Sequence, residues 1–136
     1  MRTRTWPRLL VGTTCLAALG VACSSGSSPT GPQQPSCAGV VEPNTCPSPS
    51  PSWKSDVEPL IEKYCWQCHA NGGIDQPMVD LSTYAGAKQN AVRILQQVHD
   101  CLMPNFGATP PPKAYPTADE RNTIIAWAGV CMAPDN

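Results

Sequence analysis

Cys65-Trp66-Gln67-Cys68-His69 governs the reading of this chain. A C-x-x-C-H run is the attachment pattern of c-type haem. The two thiols add across the vinyl groups of one porphyrin, and the adjacent histidine supplies the proximal imidazole that haem iron requires. The chain has 8 Cys and 2 His in 136 residues. Shuffling them would give this pattern in roughly one chain in a hundred or fewer, so coincidence is a weak account. The motif implies one haem c, held covalently by Cys65 and Cys68, with His69 as an iron ligand.

Upstream, Arg2, Arg4 and Arg8 precede an apolar run over 9–22. The run is shorter than the roughly 20 residues that cross a bilayer, so it reads as the apolar part of an export signal. Leu19-Gly20-Val21-Ala22-Cys23 closes it and resembles a bacterial lipobox, which is cut just before the cysteine. The expectation is a lipoprotein signal peptide over 1–22 and lipidation of Cys23. The alternative is an ordinary secretory signal cut nearby. Ser24 stands where an Asp would retain a lipoprotein at the inner membrane, which points to the outer membrane, facing the periplasm or the surface. Loss of the three arginines makes a chain of net charge −1 more acidic still, with no footprint for nucleic acid.

The cysteines can all be assigned. Cys15 leaves with the signal, Cys23 takes lipid, and Cys65 and Cys68 take haem. Cys37, Cys46, Cys101 and Cys131 remain, an even number in an exported chain, which implies two disulfides. Four cysteines allow three pairings. Local pairing, Cys37 with Cys46 and Cys101 with Cys131, is expected if the segment before the domain has nothing to pack on. That segment, 24–52, is rich in Ser, Pro and Gly and nearly devoid of apolar residues apart from Val40 and Val41. It reads as a disordered or extended tether over 23–52, since it cannot bury enough surface to offset its chain entropy.

The folded part is then 53–136, a size at which a core needs help from a disulfide, metal or cofactor. Ser55-Asp56-Val57-Glu58 is a capping-box pattern, followed by Val57, Leu60, Ile61 and Tyr64 on one helical stripe that runs into Cys65. Pro59 falls in the first turn, where its missing N–H costs little. A second helix is expected over about 90–100, with Ala91, Ile94, Leu95 and Val98 on one face, and a shorter turn from Ser82 before it. Thr117-Ala118-Asp119-Glu120 is another capping box, leading to Ile124, Ile125, Trp127 and Ala128. No stretch alternates as a strand does, so the fold class is all-α, with three to four helices. Trp53, Tyr64, Trp66, Tyr84 and Trp127 are expected as packing residues.

Taken together, the helix leading into Cys65-Trp66-Gln67-Cys68-His69, Met103-Pro104 downstream and a closing helix with Trp127 resemble the class I c-type cytochromes, as small single-haem domains of bacterial lipoproteins. The resemblance covers 53–136. The chain departs from the pattern at Asn105, where a second Pro often follows Met-Pro. The resemblance implies crossing terminal helices and Met103 as the distal iron ligand. Rivals are His99, which would give a bis-imidazole haem of lower potential, Met78 and Met132. It also implies that the carbonyl of Pro77 orients the His69 ring. Arg93, Lys88, Lys113 and Tyr115 are candidates for the haem propionates.

The implied function is electron transfer between redox partner proteins outside the cytoplasm, by Fe(III)/Fe(II) cycling in a lipid-anchored monohaem cytochrome. With iron six-coordinate there is no open position for a small-molecule substrate, so the implied role is a carrier and not an enzyme. Three alternatives compete. One is a haem-based sensor or small-ligand binder in which Met103 is labile. Another is a thiol–disulfide oxidoreductase using Cys65 and Cys68, though such motifs sit beside a βαβ pattern. The last is a zinc site at Cys65, Cys68 and His69, which lacks a fourth ligand.

Overall fold

The first helical run begins at Ser52, three residues before the expected capping box. In the computed structural model, which describes residues 36–135, Ser52 Oγ accepts the Ser55 N–H and the Ser52 N–H donates to Asp56 Oδ2. Reciprocal capping is therefore present, but it is made by Ser52 and Asp56 and not by Ser55 and Glu58. The opening turn, Trp53–Val57, is π-helical and runs directly into α1, Glu58–Tyr64. Pro59 explains the wide turn. In a regular α-helix its ring would press on the Ser55 carbonyl, and a π turn loosens that geometry. The expected signal over 1–22 and Cys23 lie outside the described residues.

After α1 come α2 (Trp66–His69), α3 (Tyr84–Gln89), α4 (Ala91–His99) and α5 (Ala118–Ala128). Every regular element among the described residues is helical, as expected for an all-α fold. Thr83 caps α3 through its side chain, and Asn90 separates α3 from α4. The α5 capping box is present as read: Thr117 Oγ1 accepts the Glu120 N–H, and Glu120 Oε2 accepts the Thr117 N–H.

The core forms where the helical stripes meet. Val57 and Ile61 from the first run, Ile94 and Val98 from α4, and Ile124, Ile125 and Trp127 from α5 are buried together. The Trp53 ring lies 5.2 Å from that of Trp127 and 5.8 Å from that of Tyr84. Helix α5 thus packs on both α4 and the opening π turn, which brings the two ends of the helical region together.

Glu120 joins α5 to α1. Its carboxylate accepts from Tyr64 Oη at 2.8 Å and from Lys63 Nζ at 3.1 Å. Partial burial opposes its charge, but the Thr117 N–H, the Tyr64 hydroxyl and the Lys63 ammonium outweigh that and bring its pKa down to about 2. A carboxylate held below its usual 4.5 stabilises the fold above that pH, and the contribution is lost as pH falls towards 2. Its side chain is 25 % exposed, so solvent screening limits the contribution to about 1–2 kcal/mol. Acid unfolding should therefore steepen between these values, and Glu120→Gln should flatten that part of the stability–pH curve. A parallel curve in the variant would refute the assignment.

The disulfides correct the expected pairing. The structure joins Cys37 to Cys101 and Cys46 to Cys131, so neither Cys37–Cys46 nor Cys101–Cys131 forms. Local pairing assumed that the Pro-rich segment had nothing to rest on, and α5 gives it a surface. Asn122 donates from Nδ2 to the Gly39 carbonyl at 3.0 Å and accepts the Val41 N–H at 2.9 Å. Val40 packs against the core, and Pro43, Pro47 and Pro51 line a shallow apolar hollow with Ala126. Prolines supply apolar surface at small entropic cost, which lets a segment poor in other apolar residues still dock. Over its described part, the expected tether is therefore fastened to the helical body. Each bridge spans a long stretch, 64 and 85 residues, so each alone would stabilise by about 4–5 kcal/mol in the chain-entropy model.

Candidate functional site

The Cys65-Trp66-Gln67-Cys68-His69 segment is built from the end of α1 and the single turn of α2. Cys65 caps the C-terminus of α1, its N–H bonded to Ile61 O, and its carbonyl accepts the His69 N–H at 2.9 Å. The loop that follows wraps back around α2. The Asp75 N–H donates to Cys68 O, the Leu81 N–H to His69 O, and Trp66 Nε1 to Leu81 O, each at 2.9 Å. Gly73 permits this close wrap, because a Cβ there would lie 2.4 Å from Cys68 O.

His69 takes one orientation from this loop. Its Nδ1 lies 3.1 Å from the Val79 carbonyl. A carbonyl only accepts, so Nδ1 carries the proton and Nε2 is left with its lone pair, the tautomer a metal ligand needs. The role expected of Pro77 is corrected here, because the carbonyl facing the ring belongs to Val79. Successive turns over Gly73–Val79 advance the chain two residues further before it passes the imidazole.

Met103 arrives from the other side of the sequence. The Gln97 carbonyl at the end of α4 accepts both the Leu102 and the Met103 N–H, at 2.9 and 3.1 Å. Between them and the helix, Cys101 adopts φ 55°, a left-handed helix-ending conformation, and is bridged to Cys37. The Met103 carbonyl accepts from Arg121 Nη1 at 2.8 Å. Both peptide groups flanking the Met103 side chain are thus pinned.

A cavity of about 530 Å³ opens between these parts, lined by Cys65, His69 and Met103 together with Ile61, Val79 and Ile94. A narrower cleft of about 70 Å³ adjoins it and shares Cys65, His69 and Met103, adding Cys68 and Tyr64. The larger volume lies within the roughly 300–1,000 Å³ typical of cofactor and small-molecule sites. Cys65 and Cys68 are free thiols, whereas Cys37, Cys46, Cys101 and Cys131 are bridged. Burial pushes the Cys65 thiol up to about 12, although the Arg121 charge acts in the opposite direction. A thiol so placed is unlike the low-pKa attacking thiol of a disulfide oxidoreductase.

The rivals of Met103 lie elsewhere or at the margin. His99 is 44 % exposed and bonded through Nδ1 to Asp100 Oδ1 at 2.8 Å. Met132 is 82 % exposed, beyond α5. Met78 edges the large cavity but is 74 % exposed. Of the propionate candidates, Arg93 lines the cavity, Lys88 is bonded to Tyr84 Oη, and Tyr115 pairs with the Phe106 ring. Arg121, which the sequence reading passed over, proves to be the buried cation behind the site. Its only sequence signal was its place one residue after the capping-box glutamate, where a helix turns towards its core. Among the described residues no three His, Cys, Asp or Glu side chains form a metal-holding group; a His69/Met103 pair contains one such residue and is not of that type. Compared with known proteins, the chain matches no family model, no curated protein and no solved structure.

Proposed function

We propose that this chain is a monohaem c-type cytochrome that carries single electrons, with haem attached through Cys65 and Cys68 and iron held by His69 and Met103. One observation carries the reading. Residues from two separate segments, 65–69 and Met103, with the chemistry of two thioether links, an imidazole and a thioether ligand, line two adjoining cavities. The fit is supported by the His69 tautomer, which leaves Nε2 free for iron. It is also supported by Cys65 and Cys68 remaining unpaired while the described cysteines around them are bridged.

Bound there, a haem would supply reversible one-electron exchange between Fe(III) and Fe(II), one electron entering from a donor protein and one leaving to an acceptor. The chain's own residues do the rest. The Val79 carbonyl holds the imidazole and raises its basicity. Ile61, Val79 and Ile94 keep the cavity walls apolar, which limits water near the iron and influences its potential. The clamp on Met103 keeps a soft neutral ligand close to its working position. A carrier of this kind would work with redox proteins outside the cytoplasm. The disulfides support an oxidising compartment, and lipidation at Cys23 would hold the protein at the outer membrane.

The test is the pyridine haemochrome spectrum of the purified protein after expression in a host with c-type haem maturation. One covalently bound haem per chain is expected, and Cys65→Ser with Cys68→Ser should abolish it. A wild-type chain that emerges folded and without haem, beside a control cytochrome that matures normally, refutes the proposal.

A further inference from the structure

Arg121 has no solvent-accessible surface and is the one fully buried charged side chain among the described residues. Its Nη1 donates to the carbonyls of Val98, at 3.0 Å, and Met103, at 2.8 Å. Its Nε and Nη2 are buried and have no hydrogen-bond partner, and no carboxylate among the described residues forms an ion pair with it. A guanidinium does not shed its proton in a protein. A buried cation without a counter-charge is costly, and hydrophobic packing of α5 alone would be better served by a Met or Leu. The residue asks for a role that involves its charge and its fork of donors.

Its position supplies one. The two carbonyls it joins bracket the segment that ends α4 and delivers Met103. In the middle of that segment Cys101 is tied to Cys37. Through its bond to the Met103 carbonyl, the guanidinium sits behind the wall that Met103 contributes to the cavity it shares with Cys65. We propose that Arg121 is a positioning residue that holds Met103 in its ligating place and a fixed positive charge that biases the iron towards its reduced state. This rests on the His69/Met103 haem reading. With two neutral ligands, the oxidised site carries one more positive charge than the reduced one. A buried cation opposes the oxidised form more strongly, and the low dielectric behind the wall keeps that effect from being screened. The charge-assisted hydrogen bond to the Met103 carbonyl resists any withdrawal of the residue-103 backbone from the cavity wall, which leaves side-chain rotation as the remaining route for the thioether to depart.

The experiment uses the matured holoprotein with Arg121→Met, which keeps volume and loses charge, and Arg121→Lys, which keeps charge and loses the planar fork. Three quantities are read: the reduction potential, the far-red Met–Fe(III) charge-transfer band, and the affinity of the ferric protein for imidazole, which competes with Met103. In Arg121→Met the potential should fall, the band should weaken, and imidazole should bind about tenfold or more tightly, the ratio expected for one charge-assisted hydrogen bond. In Arg121→Lys the potential should stay near that of the wild type, and imidazole affinity should rise by a smaller factor, about threefold. If Arg121→Met fails to fold, Arg121→Lys decides, because unchanged imidazole affinity there overturns the positioning role. Equal falls in potential for both variants overturn the charge role. A haem-loaded Arg121→Met protein with the wild-type band, affinity and potential overturns the whole inference. A wild-type protein lacking covalent haem overturns the reading beneath it as well, and the haemochrome assay separates that case from the others.

Discussion

In the proposed haem-loaded protein, Met103→Ala is expected to erase the far-red charge-transfer band, open the ferrous form to carbon monoxide and lower the reduction potential. The expected fall is on the order of 100 mV, a fraction of the ~0.8 V over which axial ligands set haem potentials. The structure makes this a clean substitution. The backbone N–H of residue 103 would still donate to Gln97 O, and its carbonyl would still accept from Arg121 Nη1, so the loop keeps its anchor while losing only the thioether. The side chain is half-buried, which limits the stability lost with it. Two companion variants sharpen the result. Met78→Ala and His99→Ala should leave band and potential unchanged, since Met78 is mostly exposed at the cavity edge and His99 points to Asp100. Retention of the band in Met103→Ala, or its loss in Met78→Ala or His99→Ala, would move the distal ligand elsewhere. Carbon monoxide binding to the wild-type ferrous protein would instead favour a ligand-sensing site.

Trp127→Ala should produce the largest loss of stability of any single substitution, about 3–5 kcal/mol, out of the ~5–15 kcal/mol that holds a typical domain together. Trp127 has no exposed surface. Its ring meets Trp53 at 5.2 Å, and its Nε1 donates to Pro134 O at 2.9 Å. Truncation therefore removes packing between α5 and the opening π turn and strands a carbonyl that the indole had satisfied. The site would suffer as well, since α5 carries both Glu120 and Arg121. Urea unfolding with the disulfides intact should show a lower midpoint at a similar slope. Trp127→Phe should recover part of the loss without restoring the bond to Pro134. A shift below about 1 kcal/mol would mean that the Trp53–Trp127 contact does not organise the core.

The elements that were legible in advance share one property: their signals are local. The Thr117–Glu120 capping box is written within four residues and appears as read. The stripes of α4 and α5 follow from helical period and bury the expected Ile94, Val98, Ile124, Ile125 and Trp127. The first helix starts three residues before Ser55, because two serines, Ser52 and Ser55, each offer a cap and the fold uses Ser52. Only the accommodation of Pro59 by a π turn favours the earlier one. The His69 ring partner is Val79, two residues beyond Pro77, because loop turns do not advance the chain at a fixed rate.

The sequence by itself determined that the fold would be helical, that Cys65, Cys68 and His69 would sit together at the end of a helix, and that four other cysteines were available for bridges. Helical period, capping and a five-residue motif all act over a few neighbouring residues, so they can be read without a fold. Tertiary structure alone decided which cysteines meet, because the docking of a Pro-rich segment onto α5 depends on a surface that exists only after the helices have packed. It also decided that Met103 would share a cavity with His69, and that Arg121 would be buried with its guanidinium across the Val98 and Met103 carbonyls. An arginine's type says nothing of whether it will be solvated or enclosed. Burial is settled by the elements around it, here α4, α5 and the loop between them.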